Sequence, residues 1–532
     1  MLQTGRPATL ATQGMVTSPH SLASSAGVDV LRAGGSAIDA AIASAAVLAV
    51  VYPHMCGVGG DAFWLIYDAA ARTVRYLDGG GRAAASATLE RFAGSTEIPL
   101  RGIAPATLTT PGAVASWHEA HARYGELPFK RLFDAAIDLA HNGYPVSARL
   151  ARFIEQAAGE LNRYPESAAL FGKPRSRVLK NPGLARTLQA IADRGRAGFY
   201  EGEVAAEMAR FSAAQGGFFT ADDLKAQSAY WGEPLKGEYR GVTLYQTPPP
   251  TQGFTVLQML KLIEPFEIGA KPFLGADHVH LLVQAKQLAF HDRDQWLADP
   301  RFADVPIERL LSDRHVEERR KLIDPGRALA WDKVPSYGSL AGDTVYIAAV
   351  DRKGNAASLI FSLYGLFGSC VTAGSTGVVL QNRGAYFSLD PGHPNRLEPG
   401  KAPLHTLIAS LAFRSSDLWA VLGCMGADGQ PQIHLQAYVA MVDFGLDIQQ
   451  AVEMPRWLSG RFALGQARDT LHIEARFPAA TLAELEHRGH TLDRWGAWNE
   501  LAGHCHGITI DRESRVLAGG ADPRSDGAAI GY

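Results

Sequence analysis

The sequence predicts a layered α/β sandwich, and three observations carry that prediction. Helical patterns dominate from about residue 115 to 240, short β patterns take over after Thr344, and further helices flank mixed or antiparallel strands. The 532 residues are long enough for several domains, yet they show no internal repeat and no low-complexity segment, as in large layered folds that fill this length as one unit. Hydrophobic residues make up 47% and charged residues 20%, the balance of an ordinary soluble protein. The net charge of −3 has no bias toward nucleic acid or anionic membrane, so neither is expected as a partner.

The opening "MLQTGRPATLATQG" has no apolar core behind Arg6 and is not a secretory signal by pattern. "AIDAAIASAAVLAVV", residues 37–51, contains Asp39 and is too short to span a bilayer, so a buried helix is predicted there. Ser36 is its expected N-cap, with Asp39 in the first turn, where negative charge complements the helix dipole. The helix ends before Pro53. A glycine loop at 57–60 then leads into a strand. It lacks the Lys-Ser/Thr of a P-loop and the spacing of a dinucleotide fingerprint, so its glycines are read as structural. "TVRYLDGGGR" is a second strand ending in glycines. "PFKRLFDAAIDLAHNG" is helical with Gly143 as its stop. "TPPPTQGF", 247–254, is extended and rigid, because proline cannot sit in mid-helix.

A long helix is expected over 276–297. The stretch 313–342, with Pro325 and Pro335, resembles an exposed connector. Strands follow at 344–350, 356–364, 377–382, 407–413 and 418–423, then helices near 431–444 and 478–488, with strands near 469–473, 507–511 and 515–519. "DRKG", 351–354, is the expected hairpin turn, with Gly354 free to take positive φ. Cys56, Cys370, Cys424 and Cys505 are scattered without CxxC spacing, which favours a reducing, cytoplasmic location over a disulfide framework. "HCH" at 504–506 has no second ligand cluster beside it, so no metal site is expected, and no motif asks for a cofactor.

Thr344 opens a strand directly after Gly342 and Asp343. A β-branched residue suits that place for packing alone. A Thr can also be a nucleophile whose own freed amine acts as base, which requires the chain to be cut between Asp343 and Thr344. Taken together, "GGSAIDAAIA", "CGVGGDAF", "TTPGAVASW", "TPPPTQG", "GDTVYIAAVDRKGNAAS", "FGS", "GLDIQQAVEMPRW" and "GGADPRSDGAAIGY" resemble, in order and over nearly the whole chain, the γ-glutamyltransferase family of N-terminal nucleophile hydrolases. The resemblance implies a four-layer αββα sandwich and self-cleavage into a large chain, 1–343, and a small chain, 344–532, that stay associated as one intertwined unit. It also implies Thr344 as nucleophile, Ser362 as the hydroxyl beside it, and the N–H groups of Gly426 and Ala427 as the oxyanion hole. The family's Gly-Gly is Gly-Ala here, which is acceptable where only an N–H is needed.

The chain departs from the family where γ-glutamyl enzymes hold the substrate's α-amine and α-carboxylate. The Arg position is Gly80, with Arg82 two residues on; the Asn position is Tyr364; the acidic position is Tyr386; and the serine pair is His405 and Thr406. Arg383 stands where the family carries a neutral amide, and its planar fork suits a carboxylate. Without the acid, no partner for a substrate ammonium is evident, and an unpaired buried charge is costly. The expected substrate is therefore a small anionic amide, in the pattern of oxamate amidohydrolases, with Arg383, Tyr364, Tyr386, Arg82, His405 and Thr406 lining its site. A glutaryl or cephalosporin acylase and a strict γ-glutamyltransferase are the alternatives. An unprocessed, inactive scaffold is the alternative from another class. A homodimer of processed heterodimers is one assembly open to such a protein.

Overall fold

The computed structural model describes residues 4–102, 106–172, 177–329, 343–460 and 470–532. Two seven-stranded antiparallel sheets organise the α/β fold. One runs in the order Ala528–Gly531, Met15–Ser18, Asp343–Val350, Ala356–Tyr364, Asp61–Asp68, Thr73–Gly79, Tyr230–Gly232. The other runs Thr9–Ala11, Leu517–Ala521, Cys505–Ile510, Asp417–Cys424, Ser410–Arg414, Val242–Gln246, Leu235–Tyr239. Both sheets interleave strands from either side of the Asp343–Thr344 bond, so the segments before and after it fold as one body.

The two sheets share a buried layer in which Phe63, Leu65, Tyr346 and Ile360 meet Leu411, Val421 and Ile508. The other face of the first sheet, through Trp64, Ile347, Leu359 and Phe361, joins a core with the helices Ala37–Val51 and Ala113–Tyr124. The other face of the second, through Leu244, Ala412 and Leu422, joins a core with Phe254–Ile263, Ala276–Trp296 and Gln430–Val442. Covered on both faces, Asp343–Val350 and Ala356–Tyr364 read as continuous apolar runs rather than alternating ones.

The predicted helix 37–51 is present, and Ser36 and Asp39 form a reciprocal capping box. The hairpin turn 351–354 is also present: Gly354 has φ of 86°, and the Asp351 carboxylate accepts the N–H groups of Lys353 and Asn355 at 2.9 and 3.0 Å. Three expectations need correction. Asp313–Arg320 is an α-helix capped by Ser312, not connector; residues 330–342 of that stretch lie outside the described residues, as does 469 at the head of the strand that begins at Thr470. Residues 377–382 form no strand, because their main chain bonds to 369–373, Gly59 and Leu363 in scattered single contacts rather than along a ladder. Helical pattern does not run to 240 either, since Tyr230–Gly232 and Leu235–Tyr239 are strands.

Candidate active site

Asp343 and Thr344 head a central strand, and the hairpin partner is irregular at that point. Asp343 pairs with Tyr364 and Val345 with Phe361, so Ser362 and Leu363 together stand opposite Thr344 alone. Such a bulge re-aims side chains, and here it turns Ser362 toward the Asp343–Thr344 peptide. Tyr364, closing the bulge, is held at φ of 79°, a strained conformation for an aromatic residue. The glycine loop 57–60 supports this place by close approach: a Cβ on Gly60 would lie 2.1 Å from the Ser362 carbonyl oxygen. Gly59 is held as closely, with a Cβ there 2.1 Å from the Val379 carbonyl oxygen.

Ser362 Oγ is the hub. It donates to the Asp343 carbonyl oxygen at 2.6 Å and accepts from Thr344 Oγ1 at 3.1 Å and from the Tyr364 N–H at 2.8 Å. Arg383 Nη2 approaches the same oxygen at 3.4 Å, and Arg383 Nη1 donates to Thr406 Oγ1 at 2.9 Å. Only 1% of Arg383 is exposed, its guanidinium lies over the rings of Tyr364 and Tyr386 at 4.5 and 5.8 Å, and its Nε has no partner among the described residues. Burial pulls its pKa down from the usual guanidinium value. A buried, incompletely satisfied cation beside the Ser362 and Thr406 hydroxyls is able to receive an anion.

His405 and Gly80 are neighbours. A Cβ on Gly80 would lie 2.9 Å from Phe63 Cζ and 3.4 Å from His405 Nε2, so the imidazole occupies the space a longer side chain at 80 would need. Arg82 is directed elsewhere: it pairs with Asp78 at 2.9 Å and approaches Asp299 at 4.0 Å, outside the Ser362–Arg383 network. At the other end of the site, Gly426 and Ala427 have φ of 136° and 46° and lead through a 3-10 turn into the helix Gln430–Val442. Among the described residues neither N–H donates to another backbone group, and a helix N-terminus favours negative charge. Ala427 is thus in the left-handed region, where a Cβ costs about 1 kcal/mol or more. The Gly-to-Ala change is tolerated at a cost in strain.

Four buried polar residues here were not singled out from the sequence. Asp61 pairs in register with Ser362. Its Oδ1 accepts from the N–H groups of Gly81 and Gly112 and from Gln381 Nε2, and its Oδ2 faces His405 Nε2 at 3.4 Å. Burial pushes Asp61 up to about 7, against the opposing pull of Arg383. Gln252, Arg293 and Asp428 form a second group behind the Gly426–Ala427 turn, and Tyr386 Oη donates to Asp428 Oδ1 at 3.4 Å. Asp61 and Gln252 lie inside stretches quoted above for the family resemblance, and Asp428 directly follows the expected pair Gly426 and Ala427; a charged or amide side chain within an otherwise glycine- or proline-rich motif was the available signal. Arg293 is one charge on a long helix and had none.

Comparison with known proteins agrees with the geometry. The Gamma-glutamyltranspeptidase family profile matches residues 23–532. Among similar curated proteins, the Glutathione hydrolase-like YwrD proenzyme of Bacillus subtilis is 41% identical over 98% of this chain and 99% of its own. The Oxamate amidohydrolase proenzyme of Klebsiella pneumoniae is 39% identical, with the same shares covered. Among solved structures, a cephalosporin acylase from Bacillus halodurans superposes with a TM-score of 0.92 at 36% identity, covering 100% of this chain and 98% of that one. The chain belongs to the gamma-glutamyltranspeptidase family and is a hydrolase of that family's proenzyme type.

Proposed function

We propose that this protein cleaves itself before Thr344 and then hydrolyses a small anionic amide, with oxamate the best-fitting substrate. The observation that carries the reading is Arg383, buried and short of partners beside Ser362 and Thr344, with the Tyr364 and Tyr386 rings closing the space around it. In the precursor, Thr344 Oγ1 attacks the Asp343 carbonyl carbon while Ser362 donates to the carbonyl oxygen as it gains charge. The peptide nitrogen takes up a proton and leaves as the free amine of Thr344, and water hydrolyses the resulting ester. The products are a large chain ending at Asp343 and a small chain beginning at Thr344, interleaved in a four-layer αββα arrangement.

In the mature enzyme the same hydroxyl attacks the substrate amide and the α-amine accepts its proton. That amine titrates near 8 when unperturbed, so it is a competent base close to neutral pH. The Gly426 and Ala427 N–H groups receive the oxyanion, ammonia leaves, and water releases the acid from Thr344. Arg383, supported by Thr406, holds the carboxylate; Tyr364 and Tyr386 limit its length; His405 fills the space above Gly80. The free, buried cysteines fit a reducing, cytoplasmic compartment.

A second reading, a dicarboxylate or cephalosporin acylase, draws on the acylase neighbour and also uses Arg383, but the Tyr364 and Tyr386 rings packed against that guanidinium favour a short acyl group. Ammonia release measured across oxamate, its longer homologues and a γ-glutamyl amide separates these. Oxamate is expected to lead. Highest kcat/KM on a five-carbon or longer acyl group favours the acylase, and an intact single chain without turnover favours a scaffold.

A further inference from the structure

Gln252 follows the three prolines 248–250 and precedes the helix Phe254–Ile263, and its side chain is fully buried. Gln252 Oε1 accepts from Arg293 Nη1 at 2.6 Å. Arginine has donors only, so this bond fixes which end of the amide is oxygen. The amide nitrogen must then face the other way, where it donates to the carbonyl oxygens of Thr406 at 2.8 Å and Ala427 at 3.1 Å. These two residues belong to different parts of the site, joined here through one amide nitrogen. The Thr406 hydroxyl accepts from Arg383, and Ala427 belongs to the turn proposed above to receive the oxyanion. Arg293 Nη1 also holds Asp428 Oδ1 at 2.5 Å, so the residue after Ala427 is tied to the same group.

We propose that Gln252 is a positioning residue that sets the separation of the carboxylate anchor and the oxyanion turn. It touches neither substrate nor Thr344; it acts through Ala427 and Thr406. The turn needs such a tie, because an alanine at φ of 46° gains energy by relaxing toward the right-handed region, which would rotate its N–H out of line. Where a carboxylate is bonded directly to the reacting carbonyl, the two recognition points cannot adjust independently. Their spacing therefore bears on turnover itself. The inference rests on the reading of Thr344 and of the Gly426–Ala427 turn given above.

The test compares Gln252→Met with Gln252→Glu. Both conserve length, and Glu keeps an acceptor for Arg293 while losing both N–H donors. Self-cleavage is expected to proceed in each, because Ser362 rather than the turn holds the Asp343 carbonyl. With the best small amide, kcat is expected to fall in both by roughly 10- to 100-fold, the scale of a small misplacement transmitted from outside the chemistry, while KM changes by less than about threefold. Wild-type kcat in the Glu variant overturns the proposal, since packing and the Arg293 bond would then suffice. A rise in KM at unchanged kcat, or loss of processing and early melting in both variants, overturns it as well. Hydrolysis surviving in Thr344→Ala overturns the nucleophile reading beneath it. Full kcat in the Gln252 variants with an inactive Thr344→Ala overturns the positioning role alone.

Discussion

Replacing Arg383 with Met should separate catalysis from stability in opposite directions. The guanidinium is 1% exposed, makes one good hydrogen bond, to Thr406 at 2.9 Å, and a long one to Ser362 at 3.4 Å, and leaves Nε unpartnered among the described residues. Burying a cation so incompletely paired is costly, and an apolar side chain of similar length removes that cost. The variant is therefore expected to melt no lower than wild type. In the loaded site the same change leaves a desolvated substrate carboxylate without its cation. Deleting a charge-assisted, two-pronged pair of this kind costs about 3 kcal/mol, or roughly 150-fold in kcat/KM. Arg383→Lys keeps the charge but not the fork, and should lose less. Steady-state ammonia release gives kcat/KM, a denaturing gel gives processing, and a thermal melt gives stability. Processing is expected to be intact, because the Asp343–Thr344 bond does not wait for substrate. A Met variant within threefold of wild-type kcat/KM refutes the carboxylate anchor, and a lowered Tm with loss of processing identifies a structural arginine instead.

Purified protein should run as two chains of roughly 37 and 20 kDa, the 57.1 kDa total divided in proportion to residues 1–343 and 344–532, whereas Thr344→Ala should stay whole; denaturing mass spectrometry decides it, and cutting that survives the substitution removes Thr344 from its role. Ser362→Ala should slow self-cleavage on the order of 100-fold or more, because it deletes the donor 2.6 Å from the carbonyl that must carry the charge, and a processing rate equal to wild type would contradict that. γ-Glutamyl anilides should be poor substrates, and Gly80→Arg should not rescue them, since Phe63 and His405 fill the space; an anilide turned over as fast as the best small amide defeats this account of the departures. Asp61, raised by burial to about 7, is neutral below that pH and anionic above it. Its ionisation places a negative charge within the field of Arg383, so KM for an anionic amide should climb above pH 7, and Asp61→Asn should flatten that limb. The same group makes the fold lose stability as pH rises from the ordinary carboxylate range through 7, because the unfolded chain releases this proton first.

Features that depend on short spans were legible in the amino-acid order. The capped helix at 37–51, the hairpin around "DRKG" and the long helix from Ala276 follow from capping, turn chemistry and apolar run length, all settled by residues a few positions apart. Asp343, Thr344 and Ser362, which the structure brings within hydrogen-bond reach of one another, are singled out through family motifs that keep their order along the chain. The rest required the packed molecule. The bulge that sets two residues opposite Thr344 is a matter of register between strands, invisible in either strand's own pattern. The sequence favours Arg383 over Arg82 as a carboxylate ligand but leaves the direction of Arg82 open; only the packed structure shows Arg82 paired with Asp78 and Arg383 turned to Thr406 and Ser362. Asp61 facing His405, and Gln252 joining Thr406 to Ala427, bring together residues from distant parts of the chain. Local propensity fixes where a chain turns and coils; which buried charge meets which partner is fixed only when distant segments have packed and water has been excluded from between them.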